Sequence, residues 1–266
     1  MPRGYIDGPS GQLHYRLEGT GAPLLMLHQA LSSQRQFDEA YALLAARDVC
    51  AIGMDLPGYG QSDPPAGMPS IKDYAAAAAA LIEALALGPM HVVGHHTGAQ
   101  VATELALGWP HLTTALILNG PLPMDEKQRA EGLAYVERAE KNMPLHENGS
   151  HLVTLFENRN SYRPPGTPLI KPTRYVAEAF MGLGPLWHAH HAAFRHDHGA
   201  AIAKLRCPTL ILTNTGDALY PHAQETRAMR PDFSYVELAG GGIDIVDEAP
   251  EAWVAAVADF IVRSTA

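Results

Sequence analysis

A glycine-framed pentapeptide, Gly94-His95-His96-Thr97-Gly98, separates two different apolar patterns in this chain. The run His91-Val92-Val93 before it is typical of a buried strand, whereas residues 99–107 have the apolar spacing of a helix. A G-x-S-x-G frame between a strand and a helix forms a nucleophile elbow, a sharp turn that exposes its central side chain. We therefore expect a strand, a tight turn and a helix, with His96 at the position of the nucleophile.

The alternation of strand and helix continues on both sides of this turn. Strands are predicted at 23–27, 49–54, 90–93, 115–119, 208–213 and 234–238, and helices near 35–46, 71–87, 97–109, 222–229 and 251–263. Residues 12–18 alternate polar and apolar side chains after a turn flanked by Gly8 and Gly11, which predicts an antiparallel hairpin at the sheet edge. Short apolar strands separated by helices predict an α/β fold with a mostly parallel central sheet flanked by helices.

The alternation stops between residues 121 and 203, where prolines, charges and aromatic side chains accumulate. Helix-like pieces at 124–139 and 173–179 indicate that this segment is mainly helical. We expect one core domain built from residues 1–120 and 204–266, with residues 121–203 inserted as a helical cap.

Composition excludes several classes of partner. The 266 residues are 47% hydrophobic and 18% charged, with a net charge of −9, so the chain lacks the basic surface that nucleic acid requires. It shows no signal peptide and no apolar run long enough to span a membrane, which predicts a cytoplasmic protein without a membrane partner. Cys50 and Cys207 are expected to be small buried residues rather than catalytic thiols. A homodimer is left open.

Further motifs occur in a recognisable order. They are His28-Gln29-Ala30-Leu31 after the first central strand, Asp55-Leu56-Pro57-Gly58-Tyr59-Gly60-Gln61-Ser62, Gly216-Asp217 after a later strand, and Gly240-Gly241-Gly242-Ile243. With the elbow, they resemble the H-G-x-P loop, the D-x-P-G-x-G-x-S turn, the catalytic acid and the G-x-G-H turn of the α/β-hydrolase superfamily. The resemblance covers the core on both sides of the insertion and implies that fold, with Asp217 as the acid.

The chain departs from this resemblance at two of the three triad positions. Histidine, His96, stands where the family has its serine, and Ile243 stands where it has its histidine. Acyl transfer by such a triad needs a hydroxyl that an imidazole deprotonates, and isoleucine cannot accept a proton. Ser32 and Ser33 are alternative nucleophiles, although no base is evident beside them in the sequence.

His96 itself can supply the chemistry, because imidazole ionises close to neutral pH. We expect it to act as a general base or nucleophile, oriented by Asp217. The resemblance implies an oxyanion hole formed by the backbone amides of Ala30 and Thr97. The predicted function is a cofactor-free enzyme acting on a small, partly apolar ester, lactone or ketone. A non-catalytic ligand-binding protein and a lyase or isomerase remain alternatives.

The expected pocket gathers side chains from both parts of the chain: His28, Gln29, His95, Trp187, Ile243 and Asp244. Asp244 is a possible acid or base there, although capping of the last helix is the more usual use of such a carboxylate. Histidines at 188, 190, 191, 196 and 198 raise a metal hypothesis. Their spacing leaves any site incomplete without help from the core, so no metal is predicted.

Overall fold

The structure, a computed structural model, describes residues 2–265 and confirms the predicted fold class. Eight strands form one sheet: β1 (Arg3–Gly8), β2 (Gly11–Glu18), β3 (Ala22–Leu27), β4 (Val49–Met54), β5 (Met90–His95), β6 (Thr113–Asn119), β7 (Thr209–Asn214) and β8 (Ser234–Leu238). Their order is β1-β2-β4-β3-β5-β6-β7-β8. The hairpin β1–β2 is antiparallel and lies at the edge, as predicted, and β2 also pairs antiparallel with β4. The other neighbouring pairs are parallel.

Eleven α-helices are described: α1 (Tyr41–Ala45), α2 (Ile71–Leu85), α3 (Thr97–Gly108), α4 (Glu126–Val136), α5 (Ser150–Asn160), α6 (Ile170–Met181), α7 (His188–Arg195), α8 (His198–Ile202), α9 (Tyr220–Met229), α10 (Ile245–Glu248) and α11 (Pro250–Thr265). Within residues 2–265, no helix combines the length and apolar character needed to cross a membrane. Ser70 and Asp73 begin α2 with a reciprocal capping box.

Helices cover both faces of the sheet because each buried strand carries apolar side chains on both faces. In β3, Leu25 and Leu27 contribute to the core under α2 and α3, while Leu24 and Met26 contribute to the opposite core under α1 and α11. This two-sided burial explains why the strands read as continuous apolar runs.

The prediction of one continuous helix at 35–46 was wrong. The structure has a 3₁₀ helix at Gln34–Phe37 and then the short α1. Inward-facing polar contacts interrupt the segment: the Gln34 amide donates to Asp55 Oδ1 at 2.7 Å, and Gln36 Oε1 accepts the Gln29 amide at 2.9 Å. These buried hydrogen bonds fix the chain in a path that a continuous helix cannot follow.

The inserted region between β6 and β7 is helical, as predicted, and comprises α4 to α8 with a π-helical turn at Glu137–Lys141. Side-chain hydrogen bonds attach it to the core, among them those of Tyr59 and His198. Tyr59 donates its hydroxyl to the Leu186 carbonyl at 2.8 Å and accepts the Ala189 amide at 2.8 Å. His198, fully buried, lies 3.0 Å from Thr103 Oγ1 on α3. The division into a core and a cap at residues 121–203 stays a prediction.

Candidate active site

The predicted turn at the end of β5 is present and is tightly folded. His96 has φ +50° and ψ −108°, a left-handed backbone conformation that few residues other than glycine adopt, and α3 starts at the next residue. A Cβ atom on Gly94 would lie 2.0 Å from the Gly98 carbonyl oxygen, and one on Gly98 would lie 2.1 Å from the Leu27 carbonyl oxygen. Both glycines of the frame are therefore required by close backbone packing.

The turn places the His96 ring against Asp217, which follows β7. His96 Nε2 and Asp217 Oδ2 are 2.8 Å apart, with the histidine side chain 14% exposed and the aspartate side chain enclosed. Asp217 Oδ1 accepts the Leu219 amide at 2.9 Å, which fixes the carboxylate. Because a carboxylate accepts, Nε2 carries the proton of this hydrogen bond and Nδ1 is the remaining nitrogen.

The environment keeps Asp217 ionised. Burial opposes the charge, but the His96 ring, by charge and hydrogen bonding, and the Leu219 amide together lower the pKa of Asp217 below its ordinary value. An ionised carboxylate on Nε2 fixes the histidine tautomer and stabilises the imidazolium that forms when Nδ1 takes up a proton.

Gly120, directly after β6, leaves room for this pair. A Cβ atom at this position would lie 2.4 Å from His96 Cδ2, 2.8 Å from His96 Nε2 and 3.3 Å from Asp217 Oδ2. Its φ of +67° also lies in the left-handed region that glycine favours. Any side chain here would displace the imidazole from the carboxylate.

His95 is buried behind the site, with its ring centroid 4.2 Å from that of His96. Burial, with His96 and Arg159 nearby, lowers the pKa of His95 well below its ordinary value, so the ring is neutral. Since Gln36 Oε1 accepts the Gln29 amide, the Gln36 NH₂ group faces His95 Nδ1 and donates to it. The His95 proton is therefore on Nε2.

The position of the His95 proton argues against metal binding by this residue. His95, His96 and Asp217 are the one group of three or more potential ligands that residues 2–265 bring together, with ligand atoms within 4.8 Å of one another. Metal-binding histidines normally donate from the nitrogen that does not bind the metal. His95 accepts at Nδ1 instead, so its hydrogen bonding does not fit a metal ligand.

The loop after β3 approaches the first turn of α3. Ala30 lines the cavity in front of His96, and the close contact of Gly98 with the Leu27 carbonyl brings the start of α3 against this loop. Thr97 is the first residue of α3, where backbone amides have no partner within the helix. The oxyanion hole formed by the amides of Ala30 and Thr97 stays a prediction.

A cavity of about 470 Å³ lies above His96, between the core and the inserted helices. Of the predicted pocket residues, Gln29 and Ile243 line it, together with His96 and Ala30, but His28, His95, Trp187 and Asp244 do not. His28 is fully buried, with Nδ1 2.7 Å from the Gln29 carbonyl oxygen and Nε2 accepting the Leu56 amide at 3.0 Å. Trp187 packs on His188 and His191 and lies under the Lys141 ammonium.

Asp244 has a different role from capping, since its side chain makes no cap hydrogen bond to α10. Its Oδ1 accepts from Gln29 Nε2 at 3.0 Å and from Arg159 Nη2. Asp244 thus positions Arg159, which does line the cavity.

The serines proposed as alternative nucleophiles point elsewhere. The hydroxyls of Ser32 and Ser33 both lie 3.2 Å from Glu178 Oε2, and neither serine lines the cavity.

Sequence reasoning did not single out Arg159, Glu140 or Gly120, and it placed His190 only within a group of histidines. Arg159, Glu140 and His190 line the cavity from the inserted helices. No local motif marks Arg159 or Glu140, because helices of the insertion orient them only in the folded chain. Gly120 had a signal: it is a glycine at the carboxyl end of a central strand, the edge where α/β sheets bind ligands.

Comparison with known proteins agrees with this architecture. The chain is 26% identical over 256 residues to 2-(acetamidomethylene)succinate hydrolase of Mesorhizobium japonicum, covering 94% of this chain and 91% of that protein. It is 29% identical over 207 residues to (E)-2-((N-methylformamido)methylene)succinate hydrolase of Acinetobacter baylyi, covering 77% and 76%. A thermophilic esterase from Thermogutta terrifontis superposes with a TM-score of 0.79 at 22% identity, covering 99% of both chains, which shows a shared fold.

The sequence profile of the alpha/beta hydrolase family matches residues 21–257, which includes the sheet from β3 onward and the inserted helices. The chain therefore belongs to the alpha/beta hydrolase family.

Proposed function

We propose that this protein is a cofactor-independent enzyme that hydrolyses a small, partly apolar carbonyl compound, an ester or lactone, with His96 as general base. The observation that carries the proposal is the 2.8 Å contact between His96 Nε2 and Asp217 Oδ2 at the floor of the cavity. The pair contains two of the three functions of a serine-hydrolase triad, with the imidazole moved to the elbow. The names of both curated relatives, which are hydrolases, support hydrolysis.

The geometry supports a complete proton cycle. His96 Nδ1 removes a proton from water as the water oxygen attacks the carbonyl carbon. The amides of Ala30 and Thr97 stabilise the resulting oxyanion, because backbone donors at this turn need no rearrangement. The carbon–oxygen bond to the leaving group then breaks, and His96 Nδ1–H returns its proton to the departing alkoxide. Throughout, Nε2–H remains bonded to Asp217.

The same base can also remove a proton from carbon next to a carbonyl, with the amides stabilising an enolate. One feature favours this second candidate, a lyase or isomerase: the elbow carries the base itself and no hydroxyl nucleophile. Deuterium uptake from D₂O at C3 of pentane-2,4-dione, above the buffer-catalysed rate, tests it, because ester hydrolysis removes no proton from carbon.

Turnover by wild type, His96→Gln and Asp217→Asn tests the proposal, with phenyl acetate, dihydrocoumarin and pentane-2,4-dione in buffer containing a chelator. His222→Gln is the matched control, because His222 lies 3.1 Å from Glu225 Oε2 on α9 and does not line the cavity. We expect both site variants to lose at least about 100-fold in kcat/KM and the control to stay within about threefold of wild type. Absence of turnover of all three compounds by wild type would contradict the proposal and favour a ligand-binding protein.

A further inference from the structure

Basic side chains outnumber acidic ones in the part of the cavity wall that the insertion forms. Arg159, His146, His151 and His190 line the cavity from the insertion, whereas Glu140 is the one carboxylate among its described lining residues. Two other acids are paired with basic side chains of the cavity wall: Asp217 contacts His96, and Asp244 contacts Arg159. A ligand therefore meets hydrogen-bond donors at the end of the cavity formed by the insertion.

Arg159 is fixed and still has donors to offer. It is 8% exposed, lies on α5, and stacks its guanidinium carbon 3.9 Å from the centre of the Tyr175 ring. Nη2 donates to Asp244, which Gln29 also holds at 3.0 Å. Within residues 2–265, Arg159 Nε is enclosed and has no hydrogen-bond partner, and the planar guanidinium carries five donors in all.

His190 on α7 lines the same cavity and pairs with Glu140, which lines it too. His190 Nδ1 lies 2.7 Å from Glu140 Oε1, so Nε2 is its other nitrogen. Burial alone would lower the pKa of His190, but the charge and hydrogen bond of Glu140 raise it above the ordinary value, with Arg159 opposing. Glu140 thereby favours the imidazolium form. The second carboxylate oxygen, Oε2, is enclosed without a partner in residues 2–265.

We propose that Arg159 and His190 bind a carboxylate group of the substrate, so that the protein acts on small acids that carry a second, reactive carbonyl. The carboxylate accepts from the guanidinium and from His190 Nε2–H at the insertion end, and the reactive carbonyl lies over His96. Two cationic donors that are each already held in place by an acid give a charge-assisted site with little rearrangement. The inference rests on the proposed function only for the role of the second carbonyl.

Binding of a ketone tests the carboxylate site independently of hydrolysis. The probes are 4-oxopentanoate and its neutral analogue 4-oxopentanamide, measured by calorimetry with wild-type protein at pH 7. Neither ketone has a carbon–oxygen leaving group, so neither can undergo the proposed ester hydrolysis. Their affinities therefore test the carboxylate site whether or not His96 is catalytic. Because hydrogen bonds to charged groups contribute about 10- to 100-fold in affinity, we expect the acid to bind more tightly by about that factor. Equal affinities, or no binding of the acid at millimolar concentration, would overturn the proposal.

Variants assign the effect to particular side chains. Arg159→Gln and His190→Gln should each reduce 4-oxopentanoate affinity about tenfold or more and leave 4-oxopentanamide affinity nearly unchanged. Arg163→Gln is the control, because Arg163 donates to Asn160 Oδ1 and to the Thr167 carbonyl and does not line the cavity. Wild-type acid affinity in both site variants would overturn the assignment.

Loss of Arg159 leaves Asp244 without its guanidinium, so the double variant Arg159→Gln/Asp244→Asn provides a folded alternative if the single variant unfolds. Glu140→Gln gives an independent readout. The pKa of His190, followed by NMR, should fall, and acid affinity at pH 7 should fall with it. A lower pKa with unchanged acid affinity would show that His190 does not bind the carboxylate.

Discussion

Alanine at position 120 is expected to inactivate the protein while leaving it folded. The new Cβ atom would lie 2.4 Å from His96 Cδ2, whereas carbon atoms in contact are normally about 3.5–4.0 Å apart. The ring must therefore move by more than about 1 Å, which removes the 2.8 Å hydrogen bond from Nε2 to Asp217. Loss of an oriented base predicts a decrease in kcat/KM of about 100-fold or more.

Two properties separate this effect from simple destabilisation. Alanine in a left-handed conformation costs about 1 kcal/mol wherever it occurs. Gly88→Ala provides the control, because Gly88 has φ +83° and a Cβ atom added there would have no neighbouring atom within 4 Å. We expect Gly120→Ala to lose more unfolding free energy in urea than Gly88→Ala, because it also breaks the His96–Asp217 contact, yet to remain folded, and only Gly120→Ala to lose activity. A folded Gly120→Ala protein with activity within about threefold of wild type would refute the reasoning.

Three further predictions concern the site and its supports. Asp217→Asn should lower kcat/KM at least about 100-fold with little change in KM, measured by steady-state kinetics, because the amide no longer fixes the His96 tautomer. Burial raises the pKa of Glu248 from 4.5 to about 7, so the folded protein binds an extra proton between these pH values and loses stability as the pH rises through them. Glutamine does not ionise, so Glu248→Gln should avoid this loss. The unfolding free energy of Glu248→Gln minus that of wild type should be about 1 kcal/mol larger at pH 8 than at pH 4.5, after allowance for solvent screening. The same value at both pH values would contradict this. Trp253→Phe removes the 2.7 Å hydrogen bond to buried Asn119 Oδ1 and should cost about 2 kcal/mol in urea unfolding, a result that an unaltered midpoint would exclude.

The strands of the core were predictable because their sequences carry a simple signal. β4 and β7 are buried throughout, so each contains a short apolar run, and each is followed by turn residues. The segment at 35–46 was not predictable in this way. Its break depends on Gln36 bonding to the Gln29 amide and to His95, contacts that exist only after the sheet has formed.

In the candidate site, too, some residues were predictable from the sequence and others were not. His96 and Asp217 follow strands whose positions can be read from the sequence, and the carboxyl ends of parallel strands meet at one edge of a sheet. No comparable rule predicts which side chains of the insertion reach the cavity. Trp187 packs beside the π-helical turn rather than in the cavity, while Arg159 enters it because Asp244 and Tyr175 hold the guanidinium there.

The central claim is that the His96 imidazole is the reacting base. Its most direct test is kcat/KM of His96→Ala for phenyl acetate, with and without added imidazole in chelator-containing buffer. We predict a loss of at least about 100-fold and a saturable partial recovery with imidazole, because the deletion leaves a cavity beside Asp217 that the free base can occupy. Wild-type activity in His96→Ala without imidazole would contradict the account.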